Sequence, residues 1–419
     1  MNLKSRSLAW QLGMSAYWFA TSMKWFVMLL TLAFVVNDIV PGGEEGKLWG
    51  RVVLIGATWA MVGPGLFGYL SDRTRTRFGR WRPYLAIGCA GTVFALIVLS
   101  NAREYWVVVV GYLLLQMSDD FATGPYSMLI PGLVPEHQRG RASGVMALMQ
   151  FSAHLAGAAV SLALGDIRPI YLTVATMSVV CALITLFTVR EDPAERISDR
   201  VGFAEGWIQP WKDHDFRWAW IVRFLNALGF YLILTYLGLY FAHVVRDFTA
   251  FGIPIAKVGE GVTPEGAAKE AVLKVAVIIA VLAAIGGVAG GRLADKIGRK
   301  RVVAGCGWLM FAVLVPFALI PDFSVIVCLA LLFGFGYGAY ESSNWALVSD
   351  VMPSRENLAK DMGIWQSSIP APQVIAGSLG FVVDTKNMQG TSGYTIVFLV
   401  AAAAYLFSTL SVRQIRGST

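Results

Sequence analysis

Five ionisable side chains fall near the middle of long apolar runs of this chain, Lys24, Asp119, Asp120, His154 and Glu341, and a sixth, Arg223, lies about two turns into its run. A charge at the centre of a membrane-spanning helix costs about 2.5 kcal/mol or more on insertion scales, so such groups face a partner or a watered cavity. Their types suggest proton chemistry. Three carboxylates oppose two fixed cations, Lys24 and Arg223, which leaves one negative charge that a proton could neutralise. Neighbouring helical residues point about 100° apart, so Asp119 and Asp120 cannot face the same way. Lys24 lies at similar depth, and one aspartate is expected to hold it while the other meets the cavity. Burial among apolar helices favours the neutral acid, and a nearby lysine opposes this. Glu341, with no cation beside it in "YGAYESSNW", is therefore the first candidate for a protonatable coupling site and one aspartate is the second. His154 could relay protons or simply pack. Arg223, near one end of its run, could serve a gate or snorkel to headgroups. The opposing reading of the whole set is structural: ion pairs that fix helix packing and never titrate.

A second group could bind a polar solute. Sugars are held by aromatic faces that stack on the ring and by amides, hydroxyls and carboxylates that pair with its hydroxyls. Trp18, Trp25, Tyr126, Gln150, Asn226, Tyr340, Asn344, Trp345 and Gln366 supply both kinds near the middle of their runs. Any one of them could equally be packing or part of an interfacial belt.

The elements that must position these groups follow from composition. The chain has 419 residues, 56% hydrophobic and 15% charged, with mean hydropathy +0.60. Twelve apolar runs, each long enough to cross a hydrocarbon core of about 30 Å as a helix, span 8–36, 50–71, 83–100, 105–131, 142–165, 169–189, 217–244, 271–293, 302–320, 323–349, 358–383 and 392–412. The first exceeds the apolar part of a cleavable signal and is read as a retained helix. Pro370 and Pro372 fall inside the eleventh, where they should bend or break it. The expectation is an all-α integral membrane protein of the plasma (inner) membrane in contact with lipid.

Cys89, Cys181, Cys306 and Cys328 all fall inside spans without paired metal-ligand spacing and read as buried small hydrophobes. No HExxH, P-loop or GxSxG pattern occurs, which leaves no metal, no cofactor and no enzyme to propose. The net charge of +7 reads as topology rather than nucleic-acid binding. Of 34 Lys and Arg, 23 flank one set of loops and both tails against 9 on the other, which places both termini in the cytoplasm.

The chain repeats itself. "GYLSDRTRTRFGRWRPY" at 68–84 is echoed by "GGRLADKIGRKR" at 290–301, with Gly68, Asp72, Gly79 and Arg80 matching Gly291, Asp295, Gly298 and Arg299. "LVPEHQRGRASG" and "VMPSRENLAKDMG" form a second pair. Two six-helix bundles follow, 1–190 and 217–419, joined by a polar linker, 191–216, with a short surface helix. The other sizeable loop, 246–270, reads as a flexible connection.

These paired loops resemble those of the major facilitator superfamily. Within it, "SDRTRTRFGRWRPY" is similar to the corresponding loop of the glycoside-pentoside-hexuronide cation symporters and the plant-type sucrose-proton symporters. The resemblance implies two bundles rocking about a central solute site. Gly68, Asp72, Arg73, Gly79, Arg80, Asp295, Gly298 and Arg299 would form a cytoplasmic gate in which the aspartates hold arginines across the contact between halves. Asp350 precedes "VMP" but Gly132 stands before "LVP", so the latch is expected to be lopsided. The acidic pair in the second helix of the sodium-using branch is missing, since "LIGATWAMVGP" stands there; a proton is favoured over sodium. The reading is a monomeric proton-coupled symporter of a small polar solute, a sugar or glycoside. The alternatives are an exporter of an amphipathic compound or lysolipid, and a non-transporting assembly or sensor protein of the same fold.

Overall fold

The computed structural model describes residues 4–39, 45–190, 202–256, 263–354, 356–379 and 391–417. In chain order the helices are α1 Leu8–Ile39, α2 Glu45–Ala60, α3 Gly63–Arg73, α4 Arg82–Ser100, α5 Tyr105–Tyr126, α6 Leu129–Leu133, α7 Arg139–Leu164, α8 Ile167–Thr188, α9 Phe203–Lys212, α10 His214–Tyr240, α11 Pro264–Ile297, α12 Arg299–Leu319, α13 Phe323–Asp350, α14 Leu358–Gln366, α15 Pro370–Ser378 and α16 Thr391–Val412. A 3-10 turn, Glu136–Gln138, precedes α7, and α10 runs on into a π-helical turn, Phe241–Val245.

Local chemistry sets where these helices begin. Pro64, Pro83, Pro264 and Pro370 lie in first turns, where the missing N–H would have had no acceptor. Asp213, Thr263 and Asp322 cap α10, α11 and α13 by accepting from Phe216 N at 2.8 Å, Gly266 N at 3.1 Å and Val325 N at 3.0 Å.

Among the described residues nine stretches, from Gly50–Arg73 to Gly393–Val412, are long and apolar enough to cross a membrane. The other three expected spans are α1, α5 with α6, and α14 with α15, whose buried groups include Lys24, Asp119, Asp120, Lys360 and Asp361. Residues 380–383, the end of the expected eleventh span, 191–201 of the expected linker and 257–262 of the 246–270 loop lie outside the described residues. Large apolar side chains such as Ile87, Phe94, Leu162 and Phe187 are exposed on the outer surface. That is the arrangement lipid favours and water penalises.

Three expected spans are not continuous. The 50–71 run breaks at Met61–Val62, because the ring of Pro64 would clash with the preceding turn. The 105–131 run breaks at Ser127–Met128, just past Pro125, and 358–383 breaks at Ser367–Ile369 before Pro370. The 246–270 loop is more ordered than expected: strands β1 Phe248–Ala250 and β2 Ile253–Ala256 pair antiparallel around Phe251 and Gly252, both at positive φ. Cys328 is exposed, unlike the three buried cysteines. A polar-flanked run of this kind leaves one face of a helix to lipid, and composition does not say which.

Helices α1, α2, α4, α5 and α8 pack mainly within the first half and α10 to α13 and α16 mainly within the second, whereas α3, α7 and α14 lie at the seam and pack largely on the opposite half. Between the two groups the largest contacts are α7 on α11, α3 on α14 and α7 on α13. Helix α9 lies over the α3–α14 contact: Trp207 packs on Gly65, and the Gly206 carbonyl accepts from Lys360 Nζ at 2.8 Å.

Candidate functional site

Helix α1 carries Lys24 to Asp119 on α5, and the two form a buried ion pair. Thr21 Oγ1 donates to the same carboxylate at 2.6 Å and Trp25 Nε1 at 2.7 Å. Thr21 and Trp25 flank Lys24 on one helix face, so a single turn of α1 supplies all three donors. Both oxygens of Asp119 are thus engaged, Oδ2 by the Trp25 indole.

Asp120 departs from expectation. Instead of meeting a central cavity it turns to the α2–α3 break, with Oδ1 accepting from Gln116 Nε2 at 3.0 Å. A Cβ on Gly63 would fall 2.5 Å from its Oδ2 and 2.7 Å from Trp59 Nε1, which shows how tightly that corner is filled. Its Oδ2 has no hydrogen-bond partner.

The two halves meet at the centre through a chain of aromatic rings. Tyr126 stacks on Trp18 at 6.0 Å, Trp18 meets Trp345 edge-on at 5.3 Å, and Trp345 meets Trp365 edge-on at 5.1 Å. Trp18 Nε1 donates to Gln150 Oε1 at 2.9 Å, and the Tyr126 hydroxyl donates to the Met14 carbonyl at 2.8 Å. These polar ends are already used.

Across the seam the opposite holds. Arg223 on α10 lies over Trp365 at 3.6 Å and within 5.4 Å of Trp345, with its Nε and Nη1 buried and unpartnered. Asn226 Nδ2, both polar atoms of the Asn344 side chain, Trp345 Nε1, Trp365 Nε1 and Gln366 Oε1 are likewise buried without a partner among the described residues. Buried polar groups are paired in the great majority of cases, so a cluster of orphans marks a place where something else supplies the bonds. Glu341 is half-buried on α13, makes no hydrogen bond among the described residues, and has Arg223 as the charge acting on it. Tyr340 is buried, and its hydroxyl donates to the Val222 carbonyl at 3.4 Å.

His154 lies face to face with Phe26 at 5.0 Å and edge-on to Phe151 at 5.8 Å. It makes no hydrogen bond among the described residues. Arg223 does not snorkel either, being 4% exposed.

The end of the molecule that carries the two glycine-aspartate loops is shut. Asp72 accepts from Ala359 N at 3.3 Å and Lys360 N at 2.9 Å, at the start of α14. Asp295 accepts from Gly140 N at 3.0 Å and Arg141 N at 2.8 Å, at the start of α7. Each loop aspartate thus caps a helix of the opposite half, where the free N–H groups and the helix dipole both favour a carboxylate. This corrects the expected geometry. The loop arginines stay with their own aspartates, Arg80 at 3.6 Å from Asp72 and Arg299 at 3.5 Å from Asp295, while Arg73 lies over Tyr69. Two arginines cross: Arg139 meets Asp350 at 2.9 Å, and Arg299, which also pairs with Asp350 in its own half, donates to the Glu136 carbonyl.

Backbone geometry explains the loop glycines. Gly79 and Gly298 hold φ of 94° and 100°, which a side chain would resist. Gly68 and Gly291 are needed for closeness: a Cβ on either would strike the backbone carbonyl of Ala359 or of Gly140. Where the second half has the Arg139–Asp350 pair, the first has Leu358, whose Cδ1 would sit 3.5 Å from a Cβ on Gly132. A cavity of about 750 Å³ opens beside this end, lined among others by Glu136, His137, Lys296 and Arg301. It lies away from the central charges.

Several participants were not singled out from sequence. Thr21 and Gln116 were not, although their offsets of three and four residues from Lys24 and Asp120 place them one helical turn away. Lys360 could have been found through the repeat, since it stands where Arg141 stands in the first half. Trp365 gave no signal beyond adjoining Gln366.

Two packed helical groups, an apolar outer surface and buried charges at their junction define an integral membrane protein with an internal polar site. The pattern described as MFS/sugar transport protein matches residues 13–257, more than half of the chain, and the Major Facilitator Superfamily pattern matches 266–416. The chain belongs to the major facilitator superfamily, whose members are transporters rather than enzymes. Curated relatives include the multidrug resistance protein MdtG of Proteus mirabilis, 25% identical over 200 residues covering 46% of this chain and 48% of that one. MdtG of Salmonella typhimurium is 24% identical over 191 residues, 44% of this chain and 46% of that one. The chain spans about half the length of the curated relatives it matches. Among solved structures, a bacterial homologue of the iron transporter ferroportin in its outward-facing state superposes with TM-score 0.72 at 14% identity, covering 98% of this chain and 99% of that one. The E. coli fucose:proton symporter FucP gives 0.70 at 13%, covering 96% and 98%. The human organic anion transporter MFSD10 gives 0.72 at 14%, covering 96% and 98%. At these identities the likeness concerns the fold.

Proposed function

We propose that this protein is a proton-coupled symporter of a sugar or glycoside that works by alternating access across the plasma membrane. The observation that carries this reading is the set of buried, unpartnered polar atoms of Asn226, Asn344, Trp345 and Gln366 beside the unbonded Glu341. Donors and acceptors of both kinds, next to indole faces, suit a polyhydroxylated ring. The family description and the fucose symporter among the structural neighbours point the same way.

Glu341 is the group that takes the coupling proton, and the two bundles are the moving bodies. Sodium is disfavoured because Lys24, Thr21 and Trp25 already occupy both oxygens of Asp119. The excess of basic residues puts the shut end and both termini in the cytoplasm, so the state described is closed to the inside. Opening it requires breaking both helix caps and the Arg139–Asp350 pair.

The reading is tested by purified protein in liposomes: labelled sugars should accumulate under an inward proton gradient and stop accumulating when the gradient is collapsed. Failure of every sugar under every gradient would remove it. The match to MdtG favours a second reading, export of an amphipathic compound. Competition of uptake by amphipathic cations rather than by sugars would select it.

A further inference from the structure

We infer that the transported solute carries a carboxylate and that Arg223 receives it. This rests on reading the central cluster as the solute site and adds the solute's charge to that reading. The two cations of the interior are not alike. Lys24 is closed off by Asp119, an ion pair complete in itself. Arg223 is equally buried, at 4% exposure, yet no hydrogen bond or ion pair reaches its guanidinium among the described residues, and Nε and Nη1 are sealed from solvent. A buried charge without a partner is strongly unfavourable, and stacking on Trp365 offsets part of that cost but satisfies no N–H.

The stacking also dictates what can come. With one indole against its face, the guanidinium offers its edge, and the planar edge of an arginine matches the two oxygens of a carboxylate. The donors and acceptors on Asn226, Asn344 and Gln366 remain for hydroxyl groups on the same solute. A phosphate is disfavoured, because its second charge would need another cation and Lys24 is engaged. Charge also ties this to coupling. Glu341 already lies in the field of Arg223, so a second carboxylate arriving at the guanidinium sets two negative charges against that one cation. A proton on Glu341 removes the excess.

The test uses the full-length protein in detergent and three probes of one ring: D-glucuronate, D-glucose and glucose 6-phosphate, with binding read by calorimetry. Glucuronate should bind about tenfold or more tightly than glucose, the scale of one charge-assisted hydrogen bond. Arg223→Gln should abolish that preference, bringing glucuronate and glucose to equal affinity. Arg223→Lys, which keeps the charge and loses the planar edge, should retain part of it and shows that the site still folds. Glucose binding as tightly as glucuronate, or the phosphate binding more tightly than both, would overturn the inference and leave the sugar reading standing. If no sugar binds, lactate and benzoate decide: binding that Arg223→Gln removes supports the carboxylate receptor and sinks the sugar reading, and no binding sinks both.

Discussion

The carboxylate of Asp72 accepts the backbone N–H of Lys360 at 2.9 Å, 288 residues further along the chain. Asp295 does the same for Arg141, so the two halves clasp each other by one symmetric device. The loop motif is thereby a pair of helix caps supplied in trans. Its strength comes from fixed backbone donors rather than from long, mobile side chains.

Removing one cap should loosen the shut end. Asp72→Ala or Asp295→Ala each loses about 1 kcal/mol of capping, enough for roughly a fivefold shift toward the inward-open state. In a background lacking the native cysteines, Ala147→Cys at the α7–α11 contact should react correspondingly faster with a water-soluble thiol reagent. Unchanged reactivity in both variants would show that the caps do not hold the seam.

Asp350→Ala should have a larger effect than either cap. It removes the carboxylate that Arg139 and Arg299 share, both mostly buried, and breaking one side of a buried pair costs about 3 kcal/mol or more. The same labelling assay orders the three variants.

The missing counterpart of that pair can be supplied. Gly132→Asp with Leu358→Arg should add a second crossing ion pair, hold the shut end closed and slow turnover; either change alone should be neutral or harmful. Transport rate in the four-variant cycle measures the coupling directly.

Glu341→Gln should separate binding from energy coupling. Accumulation driven by a proton gradient should be lost, while exchange of solute across the membrane without a gradient persists. The sign follows from charge: Gln mimics the protonated acid, so affinity should cease to fall as pH rises. The groups around Glu341 are Arg223 and Tyr231 on α10, Tyr337 and Tyr340 on α13, and Tyr405 on α16. Persistence of gradient-driven accumulation would move the coupling site elsewhere, to Asp120 first.

Lys24→Met should destabilise the protein more than the double change Lys24→Met with Asp119→Leu. The single change leaves a buried carboxylate held by Thr21 and Trp25 alone, whereas the pair of changes removes both charges together. Melting temperatures of the three variants decide it.

Much of this was legible in the sequence because the membrane makes composition speak. A lysine, two aspartates and a glutamate inside apolar runs stand out where each is costly, and repeated Gly-Asp-Gly-Arg loops announce a duplicated architecture. Positive φ at Gly79 and Gly298 explains why those glycines recur. The partners were less legible. Sequence spacing placed arginines near the loop aspartates but could not show that the acceptor sites would be filled by the backbone of α14 and α7.

The order of apolar runs determined the fold class, the two-part repeat and the list of buried charges, since hydrophobic length and the cost of burying charge are local properties of the chain. Which aspartate takes Lys24, why Asp120 faces the α2–α3 break, and why Arg223 is left stacked and unpaired between two tryptophans were decided by tertiary structure. Those outcomes depend on helix rotation and on contacts between residues hundreds of positions apart, and the helical period of a single segment carries no information about the side chains it will meet.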